Sequence, residues 1–125
     1  MKKILIVEDE PDLRAILKLN LELAGYEVCT AADGQEALDK ISLEMPDLMV
    51  LDVVLPLKNG YEICREVKKE GSETKKIIVI LLTARGNPKD KFWGGYCGAD
   101  EFLTKPFDID VLLEKIRGFL ASSPT

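Results

Sequence analysis

Short apolar runs alternate along the chain with longer segments in which apolar residues recur at helical spacing, the pattern of an α/β domain built on a parallel sheet. Five runs read as strands: Lys3–Val7, Tyr26–Thr30, Leu48–Leu51, Ile77–Leu82 and Glu101–Leu103. Ile77–Leu82 is apolar without alternation, as expected of a central strand covered on both faces. The segments between predict five helices. Pro11 suits the opening position of the first, on which Leu13, Ile16, Leu17, Leu21 and Ala24 share a face until Gly25 ends it. Asp33, with Glu36 three residues on, makes a capping-box pattern ahead of Leu38 and Ile41. Pro56 and Asn59-Gly60 predict a loop and turn before a third helix with Ile63 and Val67 facing inward, and Lys68–Lys76 reads as a solvated linker. Asn87-Pro88 opens a fourth helix containing Phe92, Trp93 and Tyr96, weakened by Gly94-Gly95 at about 1 kcal/mol per glycine. Gly98-Ala99-Asp100 then turns into the last strand, and a fifth helix begins at Asp108 with Leu112, Ile116 and Phe119 on its inner face.

Four of the runs stop at a group that could serve phosphoryl chemistry: Glu8-Asp9, Asp52, Thr83 and Thr104-Lys105. If the runs are neighbouring parallel strands, these groups converge on the edge where open parallel sheets bind ligands. A lone acid after a strand is usually a helix cap or a solvated loop charge. Here three carboxylates, a hydroxyl and an ammonium occur in the required order at the ends of separate strands, which reads as a magnesium and phosphoryl site. Crowded carboxylates repel one another unless a cation neutralises them, and magnesium suits a site of one or two carboxylates plus phosphate oxygens.

The 125 residues are the size of one domain, expected to span 1–121, with 122–125 a C-terminal tail or linker start. A chain of this length buries roughly two thirds of its unfolded surface, enough to fold without disulfides or a structural metal. The net charge of −5, with no cluster of Lys and Arg, gives no expectation of direct nucleic-acid contact. No apolar stretch approaches membrane-spanning length, and Met1-Lys2-Lys3 leads into a strand rather than a signal-peptide core, so a cytoplasmic location is expected. Cys29, Cys64 and Cys97 are odd in number and widely spaced, which predicts reduced bystanders rather than a disulfide framework or zinc site. The absence of histidine excludes Ser-His-Asp hydrolysis and a phosphocarrier histidine within the chain, so a phosphoryl group must come from outside.

Taken together, Glu8-Asp9, Asp52 within Leu51-Asp52-Val53-Val54-Leu55-Pro56, Thr83-Ala84, and Gly98-Ala99-Asp100 ahead of Thr104-Lys105-Pro106-Phe107 resemble the receiver domain of two-component response regulators, over nearly the whole chain. The resemblance implies a flavodoxin-like five-stranded parallel sheet of order 2-1-3-4-5 flanked by five helices, with a cis bond at Lys105-Pro106. It implies that Asp52 is the phosphoacceptor, that Asp9 and Asp52 bind Mg2+ directly and Glu8 mainly through water, and that Val54 gives a backbone carbonyl. Lys105 and Thr83 would hold phosphoryl oxygens, and Phe102 matches the family's switching aromatic.

A signalling switch rather than an enzyme follows from that likeness. A histidine kinase, a phosphotransfer protein or a small phosphodonor would charge Asp52, drawing Thr83 towards the new oxygens and Phe102 inward. The face formed by the fourth helix, the fifth strand and the fifth helix, with Phe92, Trp93 and Tyr96, would then control a downstream protein, a fused output domain or a homodimer partner. Moving such a switch from 1:99 to 99:1 takes about 5.5 kcal/mol of differential stabilisation. Val54, Arg85 and the Phe92–Tyr96 segment depart from the common family pattern. Three alternatives stand beside this reading. A haloacid-dehalogenase-type phosphohydrolase would want a second acid where Val54 stands, and a flavin module would want a Gly/Ser/Thr loop where Glu8-Asp9-Glu10 would repel phosphate. A degenerate receiver used only for docking would not need the complete site.

Overall fold

The computed structural model describes residues 1–57, 59–84 and 97–121. Five strands, β1 (Lys3–Val7), β2 (Glu27–Ala31), β3 (Leu48–Asp52), β4 (Ile78–Ala84) and β5 (Glu101–Lys105), form one sheet of order β2-β1-β3-β4-β5. All four pairings are parallel. Four α-helices lie among the described residues: α1 (Pro11–Leu23), α2 (Gly34–Glu44), α3 (Gly60–Val67) and α4 (Ile109–Ala121). The helix expected from Asn87, with Phe92, Trp93, Gly94-Gly95 and Tyr96, falls outside the described residues, as does Arg85.

Alternation along the strands splits the core into two layers, one on each face of the sheet. Leu5, Val7, Met49, Leu51, Val79 and Leu81 meet Ala37 and Ile41 of α2 and Ile63 and Val67 of α3. Ile4, Ile6, Leu48, Val50, Ile80 and Leu82 meet Leu17 and Leu21 of α1 and Leu112, Ile116 and Leu120 of α4. β3 and β4 are thus covered on both sides, which is why their sequences do not alternate.

The helix ends follow local chemistry. Asp33 caps α2 by accepting the backbone N–H of Glu36 at 2.8 Å, and Pro11 opens α1. Gly25 takes a φ of +99° just past the end of α1, a conformation glycine adopts without cost. Several expectations need correction. Asn59-Gly60 is not a free turn: Asn59 is the N-cap of α3, accepting from Glu62 N–H at 3.0 Å, and Gly60 is its first residue. The Lys68–Lys76 stretch contains a 3-10 turn at Glu73–Lys76, fastened where the Thr74 hydroxyl donates to the Val67 carbonyl at 2.9 Å. Ile16 is 46% exposed, because α1 covers the sheet along the narrower line of Leu17 and Leu21. On α4, Leu120 joins Leu112 and Ile116 in the buried row, and Phe119 packs half-buried against the same layer as expected. β3, β4 and β5 run past their expected ends, since ladder pairing carries them into Asp52, Thr83 and Thr104-Lys105, while β2 is shifted by one residue to Glu27–Ala31 and β4 starts at Ile78.

Candidate functional site

The strand order places the ends of β1 and β5 on either side of β3 and β4, and the polar residues that stop these strands gather at one edge. Glu8, one residue past β1, is fully buried, and Asp52, the last residue of β3, is 4% exposed. Lys105 closes β5 and bridges them, its Nζ standing 2.8 Å from Glu8 Oε1 and 2.7 Å from Asp52 Oδ2. The second oxygen of each acid is also held. Asp52 Oδ1 accepts the Val54 N–H at 3.1 Å, and Glu8 Oε2 accepts the Glu10 N–H at 3.1 Å. Asp9 is exposed beside them, and Glu8, Asp9 and Asp52 each present an oxygen within 4.8 Å of the other two. An open cleft of about 540 Å³ lies over this group, lined by Glu8, Asp9, Glu10, Pro11, Asp52, Val54 and Lys105.

Electrostatically the cluster sets three carboxylates against one ammonium. Burial works against the charged form of Lys105, but its hydrogen bonds to Asp52 and then Glu8 outweigh this and raise its pKa above the ordinary 10.5. Such a donor set, hard oxygens crowded around an open cleft with acid in excess, fits a small divalent cation.

Of the residues expected at the site, Glu8, Asp9, Asp52 and Lys105 are in mutual reach, and Val54 lines the cleft with its N–H on the central acid. Thr83 lies on β4 one position beyond the partner of Asp52 and is 6% exposed, with its hydroxyl directed to the Leu103 carbonyl at 3.5 Å. Phe102 stands apart from the cleft, half-buried against the α2 and α3 side of the core and paired in register with Leu81. The Lys105-Pro106 bond is cis.

Two supporting residues escaped the sequence reading. Arg14 on α1 donates from Nη1 to the carbonyls of Glu8 at 2.9 Å and Asp9 at 3.4 Å, pinning the backbone that carries both acids. Its signal was a cation in the first turn of a helix, where the dipole disfavours one. Gly60 is the other. A Cβ there would lie 2.4 Å from the Asp52 carbonyl oxygen, so α3 can start against β3 only without a side chain.

The family model for the response regulator receiver domain matches residues 4–117. Among curated proteins, a probable transcriptional regulator of Cyanophora paradoxa, ycf27, is 47% identical over 95% of this chain and 48% of its own length. The response regulator ArlR of Staphylococcus aureus is 44% identical over 99% of the chain and 55% of its own length. The chain therefore spans about half the length of the curated relatives it matches. Among solved structures, the response regulator TrrA of Thermotoga maritima, in complex with Mg(2+)-BeF, superposes with a TM-score of 0.82 at 39% identity, over 94% of this chain and 98% of that one. The chemotaxis response regulator CheY4 of Vibrio cholerae gives a TM-score of 0.86 at 36% identity, over 94% and 98%.

Proposed function

The chain belongs to the response regulator receiver family, and on that premise we propose that Asp52 is the side chain that accepts the phosphoryl group. The observation that carries this reading is the position of Asp52: it is the acid shared by the Lys105 ammonium, the three-carboxylate cluster and the open cleft. In the reaction an Asp52 carboxylate oxygen attacks the phosphorus of a phosphohistidine or a small acyl phosphate. The bond to the donor nitrogen or oxygen breaks, the donor leaves with that electron pair, and a mixed anhydride remains on the protein.

What the chain contributes is position and charge. Two donors on opposite oxygens, Val54 N–H and Lys105 Nζ, hold the carboxylate in one orientation before the donor arrives. Glu8, Asp9 and Asp52, with the Val54 carbonyl, would hold magnesium, which when bound offsets the charge that three acids and an incoming phosphoryl group bring together. Once Asp52 carries the phosphoryl group, Lys105 is free to follow the phosphoryl oxygens. Thr83, at the end of the adjacent strand, offers the hydroxyl for another, and Phe102 follows by turning further into the sheet.

In this reading the domain is residues 1–121, with 122–125 a tail or linker start. It turns over no substrate beyond its own phosphorylation and dephosphorylation. Its donor is a histidine kinase or phosphotransfer protein in the cytoplasm, and its output is a downstream protein, a fused domain or a second copy. The presence of regulators twice as long among the relatives supports an output carried outside this segment. Treatment with acetyl phosphate, with and without magnesium, should add one phosphoryl group to the wild type in a metal-dependent way and none to Asp52→Asn. Labelling of that variant, or an adduct mapped to another residue, would overturn the assignment.

A further inference from the structure

Away from the cleft, two cysteines that the proposed phosphoryl chemistry does not use lie side by side. Cys64 on α3 is fully buried and directs its Sγ to the Cys97 carbonyl oxygen at 3.5 Å, although 33 positions separate them. The Cys64 thiol therefore sits directly against Cys97. Cys29 lies on β2, the edge strand opposite β5, with its Sγ on the Ile4 carbonyl. Cys97 is 4% exposed, but unlike Cys64 it forms part of the wall of a second open cleft, of about 670 Å³, with Arg65, Lys68, Lys69 and Gly98.

The environments of the two sulfurs differ in the way a reactive pair requires. The hydrogen bond from Cys64 lowers the pKa of Cys97 to about 7 against the opposing effect of burial. The same bond, followed by burial, raises that of Cys64. The thiol bordering the cleft is thus the more acidic of the two, and the one behind it holds its proton more tightly.

We propose that Cys64 and Cys97 form a reversible disulfide, made by exchange with a low-molecular-weight disulfide that enters the Arg65–Gly98 cleft. The Cys97 thiolate attacks one sulfur of the incoming disulfide and expels a thiolate, which takes up the proton Cys97 has lost. Cys64 then gives up its proton and attacks the Cys97 sulfur of the mixed disulfide, expelling the second small thiol. Two protein thiols are oxidised by two electrons, and one small disulfide is reduced to two thiols. The bridge ties α3 to the turn that feeds β5, the strand carrying Lys105. In a reducing compartment it would be a transient state, as intracellular disulfides usually are.

The test is incubation of the folded protein with oxidised glutathione, followed by intact-mass measurement and peptide mapping. Wild type and Cys29→Ser should lose the mass of two hydrogens and yield a peptide pair joined through Cys64 and Cys97. Cys64→Ser should stop at one glutathione on Cys97, and Cys97→Ser should give neither product. The wild-type map decides the matter even if a variant fails to fold. A bridge that forms only in denaturant, one that includes Cys29, or a glutathione that stays on wild-type Cys97 would overturn the proposal.

Discussion

Replacing Gly60 by alanine adds one methyl group at the point where α3 starts against the end of β3. That methyl would stand 2.4 Å from the Asp52 carbonyl oxygen, 2.8 Å from Val53 Cα and 3.0 Å from the Asp52 carbonyl carbon. All three are backbone atoms, and the segment is fixed from both sides. Val53 N–H donates to the Leu82 carbonyl at 3.0 Å, and Gly60 N–H donates to the Val53 carbonyl at 2.8 Å. Overpacking against a rigid neighbour costs about 1–3 kcal/mol, occasionally more, while a helical glycine-to-alanine change returns at most about 1 kcal/mol. With contacts this short the upper part of the range applies, and the net loss should be about 2 kcal/mol. For a chain of this size that lowers the thermal midpoint by roughly 8 °C. Gly118, on the exposed side of α4 with nothing within 4 Å of its Cβ position, supplies the control: the same substitution there should stabilise by about 0.5–1 kcal/mol. Urea denaturation of the two variants should therefore move in opposite directions, and acetyl phosphate labelling should slow in Gly60→Ala alone, because the displaced backbone carries Asp52. Stability within about 0.5 kcal/mol of wild type for Gly60→Ala, with unchanged labelling, would refute the claim that glycine is required there.

Three further outcomes follow from other contacts in the molecule. Lys105 has a raised pKa, so the stability its ion pairs contribute is fully present below its unfolded value of 10.5 and lost as the pH climbs through the folded value above it. Urea midpoints of wild type and Lys105→Met, taken in metal-free buffer, should differ by about 1–3 kcal/mol at neutral pH and converge in strong alkali; a constant gap would sink the assignment. Asp100→Ala leaves the Val79 N–H, now bonded to Asp100 Oδ2 at 2.8 Å, without that acceptor and removes a 2.7 Å ion pair to Lys68, for an expected loss of about 1–3 kcal/mol by chemical denaturation. Asn59→Ala removes the α3 cap and should cost about 1 kcal/mol, whereas Asn59→Asp should be nearly neutral in the same assay.

Much of this architecture was legible because the hydrophobic period and the helix caps agree. The five strands, Pro11 at the start of α1 and Asp33 at the start of α2 stand where the pattern put them, within a residue or two. Asn59-Gly60 was misread because that dipeptide signals a turn by backbone preference alone, while the role as cap and close-approach residue depends on β3 lying behind it. The convergence of Glu8, Asp52 and Lys105 could be inferred from strand ends. Their pairing distances, the exposure of Ile16 and the part played by Arg14 depend on how helices settle on the sheet, which no local window records. Sequence spacing likewise carries no information about the contact of Cys64 Sγ with the Cys97 carbonyl, made by α3 and the lead into β5.

The Lys105 bridge joins atoms 97 and 53 positions apart in the chain. During synthesis the two acids emerge long before their cation does, and the ammonium arrives only when the final strand has docked. A growing or truncated polypeptide therefore holds Glu8 and Asp52 without the ammonium that joins them. Neutralisation of the two buried acids is thus a late event of maturation, completed only in a fully assembled copy.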